Sequence, residues 1–123
     1  NHINISLYRG DLAQLQNKFA AAEIHYFDFL KQQEISRNYD LITQALNRLS
    51  ALYIQMKSDK LLNNISRTES YNPPIYPFNI YKAQTAFLLG NKIEAISLLE
   101  EVKIKSKDLW QQEDQLILQQ LRQ

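Results

Sequence analysis

The chain has 123 residues, with 14 lysines and arginines against 13 aspartates and glutamates, a formal net charge of +1. Both signs are spread along the chain, so it has no field that would steer a polyanion, and nucleic-acid contact is not expected. Cysteine is absent, which excludes disulfides, thiolate catalysis and cysteine-held metals and leaves the compartment open.

The length is that of one domain. Two glycines and three prolines stand among many Leu, Gln, Lys, Glu, Ala and Ile, which is the vocabulary of helices. The predicted class is all-α, built of antiparallel helical hairpins. Apolar runs such as Ala86-Phe87-Leu88-Leu89 fall far short of the roughly 20 residues that cross a bilayer, so no membrane insertion by this segment is expected. Asn1 opens the chain with no charged region and apolar run after it, so a mature product or an excised fragment is expected, a fragment of a larger protein being favoured.

In chain order, Asp11 follows Gly10 as a helix start, and Leu12, Leu15, Phe19, Ala22, Tyr26, Phe29 and Leu30 recur at three- and four-residue spacing. One long helix over about 11–33 is predicted. After the polar break Ser36-Arg37-Asn38, the stripe Leu41, Ile42, Ala45, Leu46, Leu49, Leu52, Tyr53, Met56 predicts a helix over 39–57. Ser58-Asp59 caps a short helix through Leu61, Leu62 and Ile65. Residues 67–77 then read as a connector, polar at first and proline-rich over 71–77, between helical halves 1–66 and 78–123.

In the second half, Ile80, Ala83, Phe87 and Leu88 make a stripe that ends at Gly90, a residue suited to a left-handed helix cap. Ile93, Ile96, Leu99, Val102 and Ile104 make the next, so 89–92 is the turn of a helical hairpin. A last helix from about Asp108, with Gln111 three residues on, carries Leu109, Trp110, Leu116, Ile117 and Leu121. The count is six helices at most.

Chemistry-bearing side chains are sparse. His25 is flanked by Glu23 and Asp28, but only Asp28 shares its helix side, and His2 lies near a terminus. No catalytic, metal or cofactor site is expected, and the chain does not read as an enzyme. Lys103, Lys105 and Lys107 read as a solvated complement to a helix end, since Glu100, Glu101 and Asp108 surround them. Asn4-Ile5-Ser6 and Asn64-Ile65-Ser66 match the glycosylation pattern at about the frequency chance allows.

Over 77–104, with Ala83, Gly90, Ala95, Leu99 and Val102 at the packing positions, the chain resembles a tetratricopeptide repeat. Two antiparallel helices approach closely only where each offers a small side chain, and the glycine closes the turn between them. A looser copy covers 22–57, with Arg37-Asn38-Tyr39 at the turn. Arg37 and Ile42 depart from the small-residue pattern there, and the short helix and proline loop stand as an insertion between the copies. The fold choice is thus a tetratricopeptide-like α-solenoid fragment or an irregular helical bundle.

The resemblance implies a concave groove lined by the first helix of each hairpin, which would bring Phe27, Lys31 and Glu34 beside Ile80, Gln84 and Phe87. The lysine and asparagine set with which some family members clamp a terminal carboxylate is missing. Tyr71 and Tyr76, in the proline loop, are further contact candidates. The function expected is a protein-interaction or ligand-sensing module whose partner is a protein, a peptide or a second copy of itself. The alternatives are the sensory tail of a bacterial membrane-tethered transcription regulator and a homodimerisation domain.

Overall fold

The computed structural model describes residues 5–123. His2 and Asn4, two residues weighed in the sequence, lie outside them. The described residues form seven helices and no strand: α1 (Ile5–Leu15), α2 (Phe19–Ser36), α3 (Tyr39–Met56), α4 (Leu61–Glu69), α5 (Ile75–Leu88), α6 (Lys92–Lys105) and α7 (Gln112–Arg122). The chain divides into two compact units, Asn1–Pro73 and Pro74–Gln123.

In the first unit each helix packs on the next, α1 on α2, α2 on α3 and α3 on α4. Links of two to four residues leave consecutive helices no arrangement but antiparallel hairpins. The apolar stripes of α2 and α3 supply the core: Ala22, Tyr26, Phe29, Leu30, Ile42, Ala45, Leu46, Leu49 and Leu52 are all buried. Asn64 of α4 is buried too. Its amide nitrogen donates to the Leu46 carbonyl at 2.9 Å and to Ser50 Oγ at 2.8 Å, so a glycan could attach there only by breaking both bonds.

The single helix expected over 11–33 is two helices. It breaks at Gln16-Asn17-Lys18, where Asn17 takes a left-handed φ of 59°. Gly10, read as the break before a helix, instead lies inside α1. A Cβ placed on it would overlap the ring of buried Tyr26, so glycine is there for close approach between α1 and α2.

Three turns of this unit are built alike. Asn17, Arg37 and Lys57 have φ of 59°, 54° and 55°, and each is followed by a residue whose N–H reaches back five positions, to Ala13, Gln33 and Tyr53. This is the Schellman closure, in which a left-handed residue lets two otherwise orphaned helix carbonyls be satisfied. The turn residues recur at 20-residue intervals. Gly90 (φ 87°) closes the α5–α6 turn in the same way, with the Asn91 N–H on the Ala86 carbonyl at 2.8 Å.

In the second unit α5 packs on α6 and α6 on α7. Its core joins Ile80, Ala83, Ala86, Ala95, Leu99, Val102, Leu118 and Leu121, with Tyr76 and Trp110 packed against it. Helices bound the expected connector more tightly than the sequence suggests: α4 runs on through Glu69, with Thr68 fully buried, and α5 begins at Ile75. Tyr76, which precedes Pro77, is the extended residue within α5. The last helix starts one turn later than Asp108. Gln111 is its N-cap, and Asp114 Oδ2 accepts the Gln111 N–H at 2.9 Å.

Candidate functional site

The first unit carries a concave patch assembled from α2, the end of α3 and α4. On α2, Glu23, Phe27 and Glu34 recur at helical spacing and share one face. Opposite them stand Lys60, Asn63, Asn64 and Arg67. Two ion pairs join the sides: Lys60 Nζ to Glu23 Oε2 at 3.0 Å, and Arg67 Nη2 to Glu34 Oε2 at 2.7 Å. Between these pairs opens a cavity of about 210 Å³ lined by Phe27, Tyr53, Lys60, Asn63, Asn64 and Arg67.

Tyr53 fixes one end of the patch. Its hydroxyl donates to Glu23 Oε2 at 2.5 Å, and the Lys60 ammonium lies 6.0 Å from its ring centroid. Burial, then the hydrogen bond to the Glu23 carboxylate and that carboxylate's charge, hold the Tyr53 phenol well above its ordinary range. Burial alone would raise Glu23. The hydrogen bonds from Tyr53 and Lys60, with the charge of Lys60, outweigh it and leave the carboxyl below its usual value.

At the middle of the patch Phe27 is left 41 % exposed. Lys31, one turn further along α2, is exposed and makes no ion pair among the described residues. The other three residues expected to line a groove belong to the second unit. There Ile80 is taken up in the core and offers no surface, Gln84 is half-buried and Phe87 is exposed on α5. Ala83, Ala95, Leu99 and Val102 have no exposed surface, and Gly90 sits open at the turn.

The two loop tyrosines are both engaged. The Tyr71 ring lies 6.1 Å from that of Tyr39 at 41°, and the Tyr76 hydroxyl donates to Asp114 Oδ2 at 2.8 Å. Burial, then that hydrogen bond and the Asp114 charge, raise the Tyr76 phenol well above its ordinary range. Lys103, Lys105 and Lys107 are exposed, and Lys105 pairs with Glu101 at 3.6 Å.

Tyr53, Lys60, Asn63, Asn64 and Arg67 are the part of the patch that sequence reasoning misses. Tyr53 comes from α3 and the others from the start and body of α4, and no local pattern encodes that these elements lie across from α2. Among the described residues no three of His, Asp or Glu come together as metal ligands, and no helix is long and apolar enough to cross a membrane. Two larger concavities, of about 400 and 480 Å³, lack an aromatic floor. One is lined by Asp11, Gln14, Leu15, Asn17 and Gln55, and the other by five successive residues from Gly90 to Glu94. No family model, curated protein or solved structure matches the chain.

Proposed function

We propose that this chain is a non-catalytic helical-hairpin module that holds a segment of a partner protein on the patch between α2 and α4, and that its hairpins are of the tetratricopeptide kind. The observation that carries the reading is Phe27. Burying such a side chain is worth about 1.5–3 kcal/mol, yet it stands 41 % exposed on the floor of a cavity with ion pairs at both ends. A large aromatic in that setting is suited to be an anchor for a partner's side chain.

Size favours a side chain over a small-molecule ligand. A cavity of about 210 Å³ holds one bulky side chain, whereas ligand pockets run to roughly 300–1,000 Å³. The repeat assignment draws support from fully buried Ala22, Ala45, Ala83 and Ala95, which permit close helix approach.

Site-specific photo-crosslinking tests the proposal. A benzoyl-phenylalanine at Asn63, on the rim, should crosslink a polypeptide that the parent chain also retains, and Phe27→Ser should abolish that product. The same probe at Ile93, in the second unit, should not give it. A product indifferent to Phe27→Ser, or equal yield from position 93, would reject this patch as the binding surface.

A further inference from the structure

Of the two ion pairs that span the patch, only the positive members line the cavity. Lys60 and Arg67 face into it, while Glu23 and Glu34 do not. In both pairs the cation is the more exposed partner, 59 against 17 % for Lys60 and Glu23, and 41 against 36 % for Arg67 and Glu34. The rest of the lining is two aromatics, Phe27 and Tyr53, and two asparagines. Lys31, exposed one turn beyond Phe27, adds a cation on the α2 side. Asp28 is exposed as well, but it stands about 100° around the helix from Phe27.

We infer that the segment held on this patch is acidic, with one bulky apolar side chain seated against Phe27 and carboxylates on both sides of it that take Lys60 and Arg67 from Glu23 and Glu34. This rests on the binding role proposed above for the patch. A basic segment would instead meet Lys60 and Arg67 at like charge.

The spacing suits such a segment. Lys60, Asn63 and Arg67 stand at i, i+3 and i+7 and share one ridge of α4. The two cations are therefore roughly 10 Å apart along the axis. About three residues of extended chain cover that distance, enough to set an acid on each side of the anchor. The Asn63 amide, exposed between them, can donate to the segment's backbone.

The fold tolerates the exchange of partners. Exposed pairs such as Arg67–Glu34 add little to stability, so Arg67 can turn to a new carboxylate. Glu23 is the more buried acid, but the Tyr53 hydroxyl donates to it at 2.5 Å and keeps it hydrogen-bonded when Lys60 turns away.

Random peptides displayed on phage and selected on the full chain are the probe. The retained pool should be rich in aspartate and glutamate beside a tryptophan, phenylalanine or leucine, and Phe27→Ser should lose it. Synthetic copies of an enriched sequence should bind more weakly as salt rises. Lys60→Gln and Arg67→Gln should each raise Kd about threefold to tenfold. Glu34→Gln should lower it about twofold, because Glu34 competes with the peptide for Arg67. If that pair merely braced the fold, Glu34→Gln and Arg67→Gln would weaken binding alike. Lys105→Gln, at an exposed lysine of the other unit, should change nothing. Helical circular dichroism should be retained in all of these variants, whose side chains reach solvent.

A pool that depends on Phe27 but is neutral or basic would overturn the acidic assignment and leave the patch as a binding surface. So would an acidic peptide indifferent to both cation variants, or one weakened by Glu34→Gln. A pool retained equally by Phe27→Ser, or no enriched pool at all, would overturn the binding role as well.

Discussion

Gly10 shows how a single residue can be misread and why it matters. In the sequence it looks like punctuation before a helix, because glycine costs about 1 kcal/mol inside one relative to alanine. In the structure it is helical, and the space its missing side chain leaves is filled by the Tyr26 ring. That ring cannot move away freely: it is buried, and its hydroxyl donates toward Asp11 Oδ1 and Gln14 Oε1, both at 2.8 Å. Gly10→Ala should therefore destabilise the protein by about 1–3 kcal/mol despite the gain in helix propensity. Denaturant unfolding measures it, and a more stable alanine variant would contradict the contact.

Two other side chains make a statement about pH. Tyr53 and Tyr76 are held above the phenol's ordinary value near 10, each by burial and by a hydrogen bond to a carboxylate. Above pH 10 the unfolded chain releases these protons while the folded chain keeps them. The unfolded state then binds fewer protons, and stability falls as pH rises. Urea unfolding between pH 9 and 11.5 should show this alkaline loss, and Tyr53→Phe with Tyr76→Phe should flatten it. An unchanged slope in the double variant would assign the loss to other groups.

Among the elements, periodicity finds the stripes, and turn chemistry limits where they end. The α3 boundaries follow from the sequence because polar residues flank its stripe on both sides. The α1–α2 break does not, since Leu15 and Phe19 keep helical spacing across it and the left-handed residue is Asn17 rather than glycine. The start of α7 is missed for a related reason: Asp108 and Gln111 resemble a capping box, yet Gln111 and Asp114 form it.

The turns themselves can be tested as a set. Arg37 and Lys57 hold left-handed conformations that side chains with a Cβ resist by about 1–2 kcal/mol per residue. Arg37→Gly and Lys57→Gly should each raise stability by up to about 1 kcal/mol, offset in part by the greater freedom of glycine in the unfolded chain. Gly90→Ala should lower it by about 1 kcal/mol although nothing crowds the site, because φ alone opposes it. Thermal melts would refute the shared geometry if glycine at 37 and 57 proved destabilising.

For the molecule as a whole, the helical class is legible from composition, and the buried stripes of α2 and α3 from spacing. Of the residues lining the cavity, Phe27 is legible as well: it lies off the main stripe of its helix, so its exposure follows from the pattern. The others are not, because Lys60, Asn63, Asn64 and Arg67 reach the patch only through the packing that sets α4 across from α2. Ile80 illustrates the reverse case, a residue assigned to a groove from a resemblance and buried in the core of its own unit. Position on a helix is local information, while the identity of the facing helix is not.

The central claim is that Phe27 serves a partner rather than the fold, and α2 supplies its own control two residues away, where Phe29 is fully buried. The decisive measurement is thermal unfolding of Phe27→Ser and Phe29→Ser beside the parent, with retention of the crosslinked partner assayed on each. Phe29→Ser should cost roughly 3–5 kcal/mol as a buried aromatic is removed. Phe27→Ser, which uncovers only the buried part of a 41 % exposed residue, should cost about 1–2 kcal/mol and still abolish partner retention. Equal destabilisation by the two variants, or partner retention that survives Phe27→Ser, would contradict the account.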